Sequence, residues 1–108
     1  MKAKKPHWSL EDAKRLAAEG RLFLSKTKAQ AFFPDPWTAA TKAQAVIADL
    51  TERQFAHTLQ QTDICDVYGV RLDGKGWYVK LTIDDLLVIV SLHPLEKPLK
   101  TNAGEVKP

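Results

Sequence analysis

The sequence predicts an α+β domain, with N-terminal helices packed on one face of a C-terminal antiparallel sheet. Three observations predict it. Residues 10–17 and 37–49 carry apolar side chains at helical spacing. Residues 64–93 hold three strand-like runs separated by Asp73-Gly74 and Asp84-Asp85. The helical runs precede the strand runs, and such segregation characterises α+β architecture.

Each element has a local cause. Met1 to Pro6 is a basic end that precedes Ser9-Leu-Glu-Asp12, a capping-box pattern with Ser9 as N-cap. Trp8 stands where a staple residue packs on the first turn. Leu10, Ala13, Leu16 and Ala17 line one helical face, and Gly20 is a C-terminal stop. Arg21 to Ser25 reads as a short strand or an extended link, and Lys26 to Phe33 as a second short helix. Pro34-Asp35-Pro36 breaks the chain and starts a helix, because proline's missing N–H costs nothing at the first helical position. That helix runs from Trp37 to Asp49. Thr51-Glu-Arg-Gln54 repeats the capping-box pattern. It predicts a further helix carrying Phe55 and Leu59 and ending near Gln60 or Gln61.

Ile64 to Leu72 is the first strand. Asp73-Gly74 is a hairpin signal, with a loop expected to run on to Gly76. In Trp77 to Ile83, apolar Trp77, Val79, Leu81 and Ile83 alternate with Tyr78, Lys80 and Thr82, so one face is apolar and the other polar. Asp84-Asp85 forms a tight turn, and Leu86 to His93 is the third strand of a meander, which can add Ser91 and His93 to the polar face. Residues 1–94 are expected to form one domain. The polar, aperiodic segment 95–108 is expected to be a mobile tail. Trp8, Trp37 and Trp77 read as core anchors.

Composition narrows the class. With 108 residues, the chain has room for one modest core. No apolar run reaches membrane-spanning length and no signal peptide is visible, so a cytoplasmic protein with no membrane association is expected. A single cysteine, Cys65, excludes an internal disulfide. The net charge of +3 is uneven. Residues 1–50 hold 9 Lys/Arg against 5 Asp/Glu, a net of +4, and residues 51–108 hold 7 against 8, a net of −1. The basic half has the sign to attract a polyanion such as RNA, although solubility explains it equally.

The histidines (His7, His57, His93) and Cys65 lack metal-ligand spacing, and neither a phosphate-binding glycine loop nor a nucleophile elbow is present. No metal and no cofactor are expected. What remains is Tyr78, Lys80, His93, His57 and Arg71. Cleavage of RNA by its own 2′-hydroxyl needs one group to take a proton and another to protonate the leaving 5′-oxygen. Histidine suits both roles. Arginine and lysine steady phosphate charge, and tyrosine hydrogen-bonds phosphate or stacks on a base. Each residue also has a plainer reading. His93 and His57 fit exposed polar positions, and Tyr78 and Lys80 fit a solvent-facing strand surface. Arg71 has Asp66 or Asp73 as ion-pair partners, and Cys65 fits a packed thiol rather than a nucleophile.

Asp66-Val-Tyr68, Arg71-Leu72, Tyr78-Val-Lys-Leu-Thr82 and Leu87-Val-Ile-Val-Ser91, in that order, resemble the C-terminal half of the MqsR toxins. Lys5-Pro-His7, the lysine- and alanine-rich first helix and Gly20 are similar to that family's opening. The likeness spans roughly residues 4 to 93, is faint between Lys26 and Leu50, and is absent from the tail. It implies a RelE-like α+β fold and a toxin of a bacterial toxin–antitoxin pair that cuts messenger RNA without a metal. It further implies a cognate antitoxin with a DNA-binding domain, whose complex with the toxin represses their own operon. The family's tyrosine and lysine match Tyr78 and Lys80, and its arginine matches Arg71. Two family lysines stand here as His57 and His93, and a glutamine as Cys65. The expected roles are therefore proton transfer by His57 and His93, orientation of the scissile group by Tyr78, and phosphate binding by Lys80 and Arg71. A non-catalytic RNA- or ribosome-binding module and a protein-interaction domain are the competing readings.

Overall fold

The computed structural model describes residues 3–108. It is α+β. Helix α1 (Leu10–Ala18) and helix α2 (Pro36–Asp49) pack on one face of a sheet. That sheet comprises β1 (Leu22–Leu24), β2 (Phe55–Gln60), β3 (Ile64–Leu72), β4 (Lys75–Asp84) and β5 (Leu86–Pro94). Its order is β1-β5-β4-β3-β2, with β1 parallel to β5 and the other pairs antiparallel. A second, two-stranded sheet pairs β6 (Leu99–Thr101) with β7 (Gly104–Val106). No helix is long and apolar enough to cross a membrane among the described residues.

Both helix starts follow their sequence signals. Ser9 Oγ accepts from the Asp12 N–H, and Asp35 Oδ1 accepts from the Thr38 N–H at 2.7 Å. Gly20, at φ +74°, closes α1 through bonds from the Gly20 and Arg21 N–H groups to the Ala17 and Leu16 carbonyls. Ala13, Leu16, Ala17, Ala39, Ala43, Val46 and Ile47 meet Phe55, Tyr68, Val79, Leu81, Leu87 and Ile89 in the core.

The structure corrects several expectations. Lys26 to Phe33 forms turns and a single 3-10 turn over Gln30–Phe32 rather than a helix. The Thr51 signal is present, with Gln54 Oε1 accepting from the Thr51 N–H, but it closes only one 3-10 turn, Glu52–Gln54. Phe55 to Gln60 then leaves as strand β2, because pairing along β3 satisfies more backbone than an isolated short helix does. The meander is therefore part of a five-stranded mixed sheet. The β3–β4 loop is only Asp73-Gly74, both left-handed (φ 54° and 83°), as a two-residue hairpin turn requires. The segment expected to be a mobile tail carries the β6–β7 hairpin, folded against β2 and β3.

Glycine makes that docking possible. A Cβ on Gly69 would stand 3.0–3.3 Å from Leu99, Thr101 and Val106 side-chain carbons. A Cβ on Gly76 would collide with the Lys107 carbonyl. The turn is fastened as well. Asn102 N and Ala103 N donate to the carbonyls of Phe55 and Arg53, at 2.9 and 2.8 Å.

Of the three tryptophans, Trp77 is buried and Trp8 half-buried, but Trp37 is 82% exposed. Asp66 is fully buried and ties the N-terminal segment to the sheet. It accepts from His7 N, Trp8 N and Thr58 Oγ1 at 3.0, 2.8 and 2.6 Å.

Candidate active site

The sheet face away from the helices carries Tyr78 and Lys80 on β4, Cys65, Val67 and Gly69 on β3, Ser91 and His93 on β5, and His57 on β2. Cross-strand register defines this set. Tyr78 lies opposite Gly69 and His93, Lys80 opposite Val67 and Ser91, and Val67 opposite His57.

Both histidines reach this face through a β-bulge. On β5, Leu87 and Ile89 pair with Ile83 and Leu81 on the core side. Strict alternation would send Ser91 and His93 to the core as well. The register slips at Val90, so Ser91 and His93 emerge beside Lys80 and Tyr78, while Leu92 returns to the core. On β2, Phe55 packs edge-on against Tyr68 in the core, at a ring distance of 5.5 Å. The slip at Ala56 turns His57 to the opposite face. A bulge re-aims the side chains that follow it, and bulges are common next to active sites.

His57, Tyr78 and His93 line one cleft of about 360 Å³, closed on its far side by Leu95, Glu96, Lys97, Pro98 and Leu99. The Tyr78 and His93 rings stack, with centroids 5.0 Å apart and planes 11° from parallel. The Phe32 ring also meets His93, at a centroid distance of 5.6 Å and a tilt of 43°. His93 Nδ1 lies 2.9 Å from the Pro94 carbonyl oxygen, which can only accept. Nδ1 therefore carries a hydrogen and leaves Nε2 to exchange protons.

Electrostatics separate the groups. Burial, helped by the Lys4 charge, pushes the His57 imidazole below its ordinary value of 6.5 and favours its neutral form near pH 7. Burial, with a smaller contribution from Cys65, raises the Tyr78 phenol, which stays protonated as a hydrogen-bond donor. Burial also raises the Cys65 thiol against the opposing charge of Lys80, so the thiol is a poor nucleophile.

The expected site residues are thus unevenly gathered. Tyr78, His57 and His93 share the cleft, and Lys80 lies one cross-strand pair along the same face. Arg71 stands apart and does not line this cleft. Its guanidinium donates to the carbonyls of Gly74 (2.7 Å) and Lys107 (3.2 Å) at the hairpin end, and it pairs with neither Asp66 nor Asp73. The polar face is also less open than expected. Tyr78 and Lys80 are half-buried and Thr82 is buried.

Sequence reasoning missed the wall from Leu95 to Leu99, because polar, aperiodic residues gave no strand signal. It also missed both bulges. The β5 bulge left a trace, since Leu87, Ile89 and Leu92 break a two-residue period. Among the described residues, no group of three or more His, Cys, Asp or Glu side chains is placed to hold a metal. No protein-family model matches the chain, and no curated protein matches it.

Proposed function

We propose that this chain is an endoribonuclease that cleaves messenger RNA without a metal, and that it is the toxin of a toxin–antitoxin pair of the MqsR, RelE-like kind. The observation that carries the chemistry is the pair of bulges, which bring two histidines to one cleft beside a protonated tyrosine. The toxin assignment rests on the ordered resemblance over the last third of the sequence.

In this reaction neutral His57 takes the proton of a ribose 2′-hydroxyl. The 2′-oxygen then bonds to the adjacent phosphorus. His93 enters this step as the imidazolium, and the 5′-oxygen leaves with its Nε2 proton, giving a 2′,3′-cyclic phosphate, a free 5′-hydroxyl and a neutral His93 that keeps its Nδ1–H. Tyr78 donates a hydrogen bond to a phosphate oxygen, and Lys80 supplies positive charge along the same face. Arg71 has no part in this cleft. A cognate antitoxin with a DNA-binding domain would neutralise the enzyme, and the complex would repress the operon.

The test is cleavage of single-stranded RNA in excess EDTA, with the products examined for cyclic phosphate ends. His57→Ala and His93→Ala are each expected to lower kcat by about 10²–10⁴-fold, the usual contribution of a general acid or base. Binding without any cyclic phosphate product would favour a non-catalytic RNA-binding module. Undiminished cleavage by the double variant would eliminate the proton-transfer roles.

A further inference from the structure

A second cleft of about 430 Å³ adjoins the first, and it is lined by Lys4, Ala56, His57, Lys100 and Asn102, among others. His57 and Leu99 border both clefts and stand between them. We infer that this second cleft binds the phosphodiester next to the scissile one, so that a single RNA strand runs from Tyr78 past His57 to Lys4 and Lys100. The inference rests on the ribonuclease reading and adds a subsite built from segments outside the sheet.

Charge is the first argument. The lining holds two lysines and no carboxylate. Neither ammonium closes an ion pair among the described residues. Glu105 faces Lys100 across the β6–β7 hairpin without closing one. Two unpaired cations in a concavity of ligand size form an anion site rather than a structural bridge.

Preorganisation is the second argument. Asn102 Oδ1 accepts from Lys4 N at 2.9 Å, and Asn102 Nδ2 donates to the Lys4 carbonyl at 2.8 Å and to the Glu52 carbonyl at 2.7 Å. One amide thus holds the N-terminal segment and the hairpin turn together. Buried Asp66 anchors the same segment a few residues on, through His7 N and Trp8 N. The Lys4 backbone is therefore in place before any ligand arrives, which lowers the ordering cost of binding. Proximity is the third argument. The Lys4 charge is felt at the His57 imidazole, so an anion held by Lys4 lies beside the proton acceptor.

The test measures binding of non-cleavable 2′-deoxy analogues: a dinucleotide with one phosphodiester and a longer single strand. Wild type is expected to bind the longer strand more tightly. Lys4→Ala/Lys100→Ala should raise its Kd about tenfold. It should also flatten the slope of log K against log salt by roughly 0.7, the share of one neutralised phosphate on a single strand. Dinucleotide binding should be unchanged. Lys26→Ala, an exposed lysine outside both clefts, should do nothing. Equal affinity of wild type for both analogues, or an unaltered Kd and salt slope in the double variant, would overturn the subsite. Cleavage of the all-ribose strand is scored separately. Binding as described without cleavage would sink the ribonuclease reading and leave the subsite standing.

Discussion

Replacing Asp66 with alanine should destabilise the protein by about 3–5 kcal/mol. The carboxylate is fully buried and accepts from His7 N, Trp8 N and Thr58 Oγ1. A hydrogen bond to a charged group is worth about 1.5–3 kcal/mol, so three amount to roughly 4.5–9 kcal/mol before relaxation. The donors are only part-buried and regain water once the N-terminal segment lifts away, which brings the net cost down to the stated range. A domain this size has about 5–15 kcal/mol in total, so the variant should still fold at low temperature. Its Tm should fall by roughly 12 °C or more, at about 4 °C per kcal/mol. Urea unfolding followed by circular dichroism measures the difference. Thr58→Val removes a single donor and should cost about 1–2 kcal/mol. If Asp66→Ala lies within about 1 kcal/mol of wild type, this carboxylate does not hold the N-terminal segment, and Lys4 is placed by Asn102 alone.

Other outcomes follow from particular contacts. The acid limb of the kcat/KM profile should lie below pH 6.5, because His57 is held neutral and loses activity only as pH falls through its lowered value. Lys4→Met should move that limb upward, and a limb that stays put would show that Lys4 does not act on His57. Gly76→Ala should push Lys107 off the sheet and open the β6–β7 hairpin to trypsin at Lys100, whereas wild type should resist. Trp37→Ala should change unfolding free energy by less than about 0.5 kcal/mol, since that ring is largely in solvent. A larger drop in urea titration would mean that Trp37 is packed.

Much of the fold was legible in the residues because its signals are local. Ser9 and Asp35 cap their helices by contacts within three residues, and Gly20 stops α1 by its own backbone freedom. The Trp77 to Ile83 alternation separates a core face from a polar one without reference to the rest of the chain. Phe55 to Gln60 misled for the opposite reason. Its capping signal is real and forms, but the hydrogen bonds that make it a strand come from β3, several residues later. The tail escaped notice because its hairpin depends on a shelf of glycine at Gly69 and Gly76 and on carbonyls at Arg53 and Phe55, none of which lies near it in sequence.

The candidate site divides along the same line. The sequence by itself determined that Tyr78 and Lys80 share a polar strand face, because a two-residue period admits no other arrangement. It also offered His93 to that face and set His57 on an expected helix, without fixing where either side chain points. Only the tertiary structure decided that. The slips at Ala56 and Val90 reverse the parity of β2 and β5, turning His57 and His93 from the core side to the side of Tyr78. Arg71 kept the expected parity yet was drawn to carbonyls at the hairpin end. Parity is a property of one strand, but register belongs to a pair. A bulge exists only where two strands must each bury their own apolar residues, and no single strand specifies its place.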